Sequence, residues 1–220
     1  MNNLEPTGHS TDAIALVPTA CRDSQIDTGL SKFGGNPDLP DDFKLDFEFQ
    51  FFIGQINFAQ INRISAAHPL PNTGLLSLFL SRLQDSFIVE AKYFASTDGL
   101  QRILLPAKTH PCHPCRLTPH LFQSMSSANC RKEEYLQYEN DFLRRFYPHK
   151  QNWDFDTPWH QMLGSYQNGK VLLLQIDSDS LVSMSWGYNG KLNFWIKQSD
   201  LATKNFADVQ VELAQGKNKS

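Results

Sequence analysis

Cys112-His113-Pro114-Cys115 is the sharpest local motif in this sequence. A Cys-x-x-Cys pair supplies two soft thiolates to zinc, and Cys130 with His110 or His120 would complete a tetrahedron. No second Cys-x-x-Cys follows, which favours an incidental loop pair. A redox role needs the first thiol at a helix N-terminus, where the dipole lowers its pKa. Pro119 would fall inside that helix and argues against it. Asp177-Ser178-Asp179-Ser180 ends a strand-like run, and an Asp-x-Asp at a strand edge can hold a hard cation. The same residue types bond their own backbone, so a turn is the favoured reading.

His160, followed by Gln161, is an acid–base residue type near neutral pH. Together with Asp177 and Asp179 it would serve a hydrolase, but no nucleophile elbow of the Gly-x-Ser-x-Gly type exists here. A hydrogen-bonded structural histidine is favoured. Gly34-Gly35, with Lys32 close by, invites an anion cradle built from backbone N–H groups. The loop lacks a P-loop ending, and Pro37 and Pro40 point to a stiff structural turn. Gln55 and Trp186 complete the conspicuous set. If Lys32, Gln55, His160, Asp177 and Trp186 converge in one cleft, an enzyme or ligand site is favoured. Scattered positions with an exposed aromatic patch favour a partner interface.

The elements that must position these residues are mostly strands. Residues 14–17, 49–56, 75–80 and 171–176 are apolar runs of strand length. Phe87, Val89, Ala91 and Tyr93 alternate with Glu90 and Lys92, which predicts a half-wet strand hairpinned to the one before it. Val209, Val211 and Leu213 alternate in the same way. Segments 182–188 and 191–196 flank Asn189-Gly190, the strongest short hairpin signal. Asn57 is placed to cap a short helix, with Gln60 three residues on. Ser199 is placed to cap another, through Lys204. Aromatic residues at helical spacing over 133–147 predict the best helix, stopped by Pro148. Residues 106–131 form an irregular Cys/His/Pro-rich loop in this reading.

With 220 residues, 40% of them hydrophobic, the chain can bury a core without metals or disulfides. Its formal net charge of -3 does not suit a nucleic-acid partner. No apolar run reaches membrane-spanning length. Residues 1–12 read as a polar tail without the features of a secretory signal. The even count of four cysteines could mean disulfides, but a chain of this size without such a signal is expected to be reduced and cytoplasmic. The domain is expected over 13–214, with a second tail at 215–220.

Four blocks, in order, resemble the YwqG-like family of uncharacterised bacterial proteins. They are Ser31-Lys32-Phe33-Gly34-Gly35-Asn36-Pro37-Asp38-Leu39-Pro40; Phe51-Phe52-Ile53-Gly54-Gln55-Ile56-Asn57; Leu70-Pro71-Asn72-Thr73-Gly74-Leu75-Leu76; and a dispersed block from His160-Gln161-Met162-Leu163-Gly164 to Asp200-Leu201. A Trp-Pro that usually follows the Gly-Gly loop is absent, and the cysteine-rich loop has no counterpart in the family pattern. The resemblance implies a single α+β domain of mainly antiparallel sheets with a few helices. The family's biochemical role is unassigned, and the gene context of some members suggests a partner-binding or immunity role; no cofactor is expected. The expectation is therefore a non-enzymatic module that binds another protein. The alternatives are a hydrolase using His160 with Asp177 and Asp179, or a small-ligand or metal-binding protein.

Overall fold

Apolar runs of this length suit a pleated surface buried on one or both faces. In the computed structural model they pair into one large sheet; it describes residues 10–44, 51–65, 68–83, 86–106, 112–125, 137, 140–141, 144–146, 160–187 and 190–215. The strands are β1 (Ser10–Ala20), β2 (Lys32–Phe33), β3 (Asp38–Leu39), β4 (Phe51–Asn57), β5 (Leu75–Leu83), β6 (Ser86–Phe94) and β7 (Gln101–Arg102). They continue with β8 (Cys115–Met125), β9 (Gln161–Leu163), β10 (Tyr166–Gln167), β11 (Lys170–Asp177), β12 (Lys191–Lys197) and β13 (Gln210–Ala214). The short helices α1 (Phe58–Asn62) and α2 (Gln198–Ala202) and a 3₁₀ turn at Asp23–Gln25 lie between strands among the described residues.

The sheet runs β13-β12-β11-β9-β1-β8-β2-β4-β5-β6, with β10 added beside β11. β3 and β7 form a separate two-stranded ribbon. The two end strands, β6 and β13, pack against each other, so the sheet is nearly closed like a barrel. At the seam the Tyr93 ring lies 5.1 Å from the Phe206 ring. Ile14, Leu16, Phe33, Ile53, Leu78, Ile176 and Phe194 belong to the core on the inner side. Outside it, Leu39, Phe52 and Phe79 form a smaller cluster, with Phe43, Phe94 and Ile103 packed against it.

An α+β fold is therefore not what forms. The chain is mostly antiparallel β, with 48% strand against 12% helix. A sheet that curls onto itself buries its own inner face and needs no helical layer to cover it. The described residues of the expected helix over 133–147 (Gln137, Asn140, Asp141 and 144–146) are helical. The rest of that segment lies outside the described residues.

The hairpin expected around Asn189-Gly190 is also corrected. β12 pairs with β11 and β13, not with residues 182–188. Residues 178–187 instead make an excursion held by an Asp179↔Met184 bridge. Gly190 does not take a positive φ; Tyr188 and Asn189 lie outside the described residues. The chain's other Asn-Gly pair makes the turn. Asn168 (φ 50) and Gly169 (φ 74) join Gln167 to Lys170, the backbone a two-residue primed turn requires.

Two more segments differ from expectation. The cysteine-rich stretch is not loop throughout, because Cys115–Met125 is strand β8, paired along its whole length with β1. Pro119 is tolerated there because β2 pairs only with Cys115 and Arg116, so the rest of β8 has one edge free of β2. β1 likewise runs past Pro18, well beyond 14–17. The expected hairpin of β5 and β6 forms, from Leu75↔Phe94 to Leu83↔Ser86.

Asn57 caps α1, its side chain accepting from the Ala59 N–H at 2.8 Å. Gln60 does not reach back to complete a capping box. Its Oε1 accepts from the Ser31 N–H at 2.7 Å. Nor does Ser199 cap α2, whose N-cap is Lys197 without a side-chain bond.

Candidate functional site

Lys32 lies on β2 between β8 and β4, opposite Arg116 and Gln55. Successive strand residues point to opposite faces. Phe33 enters the inner core, and Lys32 therefore points outward, beneath the loops of 21–44. There it is fully buried. A buried ammonium needs opposite charge and acceptors. Its Nζ donates to Asp23 Oδ1 at 2.9 Å and to the Asn36 carbonyl, and lies 3.8 Å from Asp38 Oδ1.

Arg102, on β7, closes the cluster. Its Nε donates to Asp38 Oδ1 at 2.8 Å, and Nη1 donates to the Asp23 carbonyl. Two cations thus face two carboxylates. The Gln55 amide is fully used here: Nε2 donates to Asp38 Oδ2 (2.6 Å) and to the Leu30 carbonyl (2.8 Å), while Oε1 accepts from the Asp38 N–H (3.0 Å).

Burial pulls the Lys32 pKa below the ordinary lysine value, against the opposing pull of Asp38 and Asp23. Burial pushes Asp23 upward, but the Asn36 N–H and the Lys32 ammonium outweigh it, and its carboxyl titrates below the ordinary aspartate value. The two shifts suit the pair differently because Lys32 carries most of the desolvation. Its side chain is fully buried, whereas that of Asp23 is 17% exposed.

The Gly34 and Gly35 N–H groups bond carbonyls rather than an anion, and the carboxylate beside the loop, that of Asp23, is held by Asn36. Asp23 Oδ2 accepts from the Asn36 N–H at 2.9 Å and from Asn36 Nδ2 at 3.0 Å. The Gly34 N–H donates to the Ile53 carbonyl and the Gly35 N–H to the Cys112 carbonyl, each at 2.8 Å. Both glycines hold positive φ. A Cβ on Gly34 would stand 2.3 Å from the Cys112 oxygen, and one on Gly35 would stand 2.7 Å from Asp23 Oδ1. Glycine is required so that the backbone can approach its partners this closely.

A second cluster lies on the inner side. The His160 ring packs edge-on against Phe33 at 4.9 Å. Its Nδ1 accepts from the Asp177 N–H at 3.3 Å, which puts the proton on Nε2; Nε2 then donates to Asp179 Oδ2 at 3.0 Å. Asp179 Oδ1 accepts from the Leu181 N–H at 2.8 Å, so Asp179 closes the turn after β11. Asp177 turns the other way and accepts from Gln175 Nε2 at 2.9 Å. The two aspartates of the Asp-x-Asp pair therefore do not share a ligand position. Gln161 is buried on β9, opposite Ala15 and Gln175. Trp186 is buried in the core, edge-on to Phe87 at 5.8 Å.

Lys32 and Gln55 thus meet outside the sheet, while His160 and Asp179 meet inside it with the Asp177 backbone. Trp186 packs against β6. Asp23, Asp38, Arg102, Asn36 and Ser31 are the site residues that sequence reasoning missed. Ser31, Asn36 and Asp38 stood in the first motif block, and Ser31 Oγ accepts from the Asn57 N–H at 2.8 Å. Asp23 and Arg102 carried no local signal.

Cys21, Cys112 and Cys115 are free thiols, and the last two are buried. Cys115 Sγ contacts the Leu181 carbonyl at 3.8 Å. Cys130 and His110 lie outside the described residues. His120 sits five residues along β8 against the Phe146 ring, with centroids 5.1 Å apart. Among the described residues no group of three or more His, Cys, Asp or Glu is placed to hold a metal. Burial raises the Cys112 pKa to about 11, and burial with the Asp179 charge raises Cys115 to about 12. The thiolate is the nucleophile. Iodoacetamide at pH 8 is therefore expected to modify Cys112 about a hundredfold, and Cys115 about a thousandfold, more slowly in the folded protein than in urea. Peptide mass spectrometry reads this, and equal rates in both states would refute it.

No helix among the described residues is long and apolar enough to cross a membrane. No curated protein matches the chain. Residues 31–214 match the family model of a domain of unknown function (DUF1963), and the match begins at Ser31, the first residue of the loop that carries Lys32, Gly34 and Gly35. With most of the chain covered, including both polar clusters apart from Asp23, the protein belongs to the DUF1963 family.

Proposed function

We propose that this protein is a non-catalytic binding module whose partner is another protein, and that its motif residues build the scaffold. One observation carries the reading: the side chains suited to chemistry are spent on one another. Both ring nitrogens of His160 are bonded internally, and the residue is 1% exposed. Lys32 and Gln55 are equally committed. A hydrolase would need its base free to reach a substrate proton. The narrower placement among YwqG-like bacterial proteins, the cytoplasmic location and a partner-neutralising role rest on the sequence blocks and composition.

His160→Ala and Asp179→Ala test the scaffold role. Each removes one side of the buried His160–Asp179 hydrogen bond, at a cost of about 1–3 kcal/mol. For a chain of this length each kcal/mol lowers Tm by about 2–4 °C. Both variants are expected to melt lower than wild type, and partner capture should fall only as far as folding does. Melting curves with a screen of ester and phosphate substrates decide the matter. A variant that melts like wild type but loses a turnover the wild type shows would sink the reading. Co-expression with the products of neighbouring genes tests the partner directly.

A further inference from the structure

The outer face of β10 to β13 carries a pocket of about 270 Å³ that neither polar cluster explains. Its floor is Trp195, at an outward position of β12 where the alternation leaves the indole half-buried. One wall is the Asn168-Gly169 turn with Gln167; the other is β13, with Gln210 and Glu212. Lys170 stands between them.

Each part is held in place before any ligand arrives. Trp195 Nε1 donates to Glu212 Oε2 at 3.2 Å, which fixes the ring. Lys170 Nζ donates to Gln210 Oε1 at 2.7 Å. The Gly169 carbonyl accepts from the Gln198 N–H at 3.2 Å, tying the turn to the start of α2. Sites pre-formed in this way avoid the ordering cost of binding.

The chemistry of the lining narrows the ligand. One ammonium and one carboxylate leave no net charge, so neither an anion nor a cation is selected. What remains is an aromatic platform ringed by amides and one charged pair, offering both donors and acceptors. The volume lies just under the usual range for drug-sized ligands. A pyranose fits this description: its C–H face lies on an aromatic ring, and its hydroxyls both donate and accept around the rim. We propose that this pocket binds one pyranose ring of a neutral saccharide. The proposal is independent of the partner-protein reading.

The test is a titration followed by NMR of the indole N–H resonances, with the Trp195 signal assigned from the Trp195→Phe variant. The probes are glucose, galactose, mannose and N-acetylglucosamine, with inorganic phosphate and free arginine as charged controls. The expected result is a saturable shift of the Trp195 resonance with at least one sugar over the millimolar range, and none with the controls. Saturation-transfer signals from that sugar should show binding weakened about tenfold or more in Trp195→Ala. The exposed Gln167→Ala, which leaves the platform intact, should weaken it less and guards against a Trp195→Ala that fails to fold. No shift with any sugar would overturn the proposal. So would a shift with the charged probes alone, or sugar binding unchanged in both variants.

Discussion

Deleting residues 1–20 is expected to abolish cooperative folding altogether. These residues precede the family match, yet β1 is the strand that joins the two halves of the sheet. It pairs with β8 from Ser10↔Met125 to Ala20↔Cys115, and with β9 from Ala13↔Leu163 to Ala15↔Gln161. The Leu16 N–H also donates to the His160 carbonyl at 2.9 Å. Ala13, Ile14, Ala15 and Leu16 are all buried. Truncating one buried Leu or Ile to Ala costs about 2–5 kcal/mol, while a whole domain is stable by only about 5–15 kcal/mol. Losing Ile14 and Leu16 together costs about 4–10 kcal/mol, comparable to that whole margin before the exposed edges of β8 and β9 are added. Thermal melts by circular dichroism should show no sigmoidal transition in the truncated chain. A transition within a few degrees of wild type would show that β1 is dispensable.

Lys32→Met is expected to be the most damaging single polar substitution. It keeps the volume of the stem and removes the charge, so two carboxylates face Arg102 alone. Breaking a buried pair by removing one partner costs about 3–5 kcal/mol, which at about 2–4 °C per kcal/mol is a Tm loss of roughly 6–20 °C. The loss should depend on pH. Asp23 titrates below its ordinary value in the fold, so its contribution is present above about pH 4 and is lost as pH falls through the folded value. Without Lys32 the Asp23 carboxyl loses a partner and titrates higher. The gap between variant and wild type is therefore expected to narrow as pH falls through the folded Asp23 value, where that carboxyl takes up its proton. Denaturant melts at neutral and acid pH measure this. A gap that stays constant with pH would mean that Lys32 acts through packing alone.

What was legible in the sequence was local. The apolar run at 171–176, the alternation at 87–93 and 209–213, and the Asn57 cap each report on a residue's immediate neighbours. All of them appear in the structure. The Ser31–Pro40 block was also legible as a stiff glycine turn, because positive φ and close backbone approach demand glycine at Gly34 and Gly35. The partners of those elements were not legible. Two Asn-Gly pairs carry the same turn signal; Asn168-Gly169 forms a hairpin, while β12 takes β11 as its neighbour and not residues 182–187. Lys32 was conspicuous alone, but its cluster needs Asp23, nine positions before it, and Arg102, 64 positions from Asp38. The same holds for the closure of the sheet, which turns an expected α+β domain into a mostly β one. Periodicity is set by the strand's own pleat and is written in consecutive residues. Which strand lies alongside, and which charge meets a buried lysine, is decided by pairing across long stretches of chain, where no local spacing records the choice.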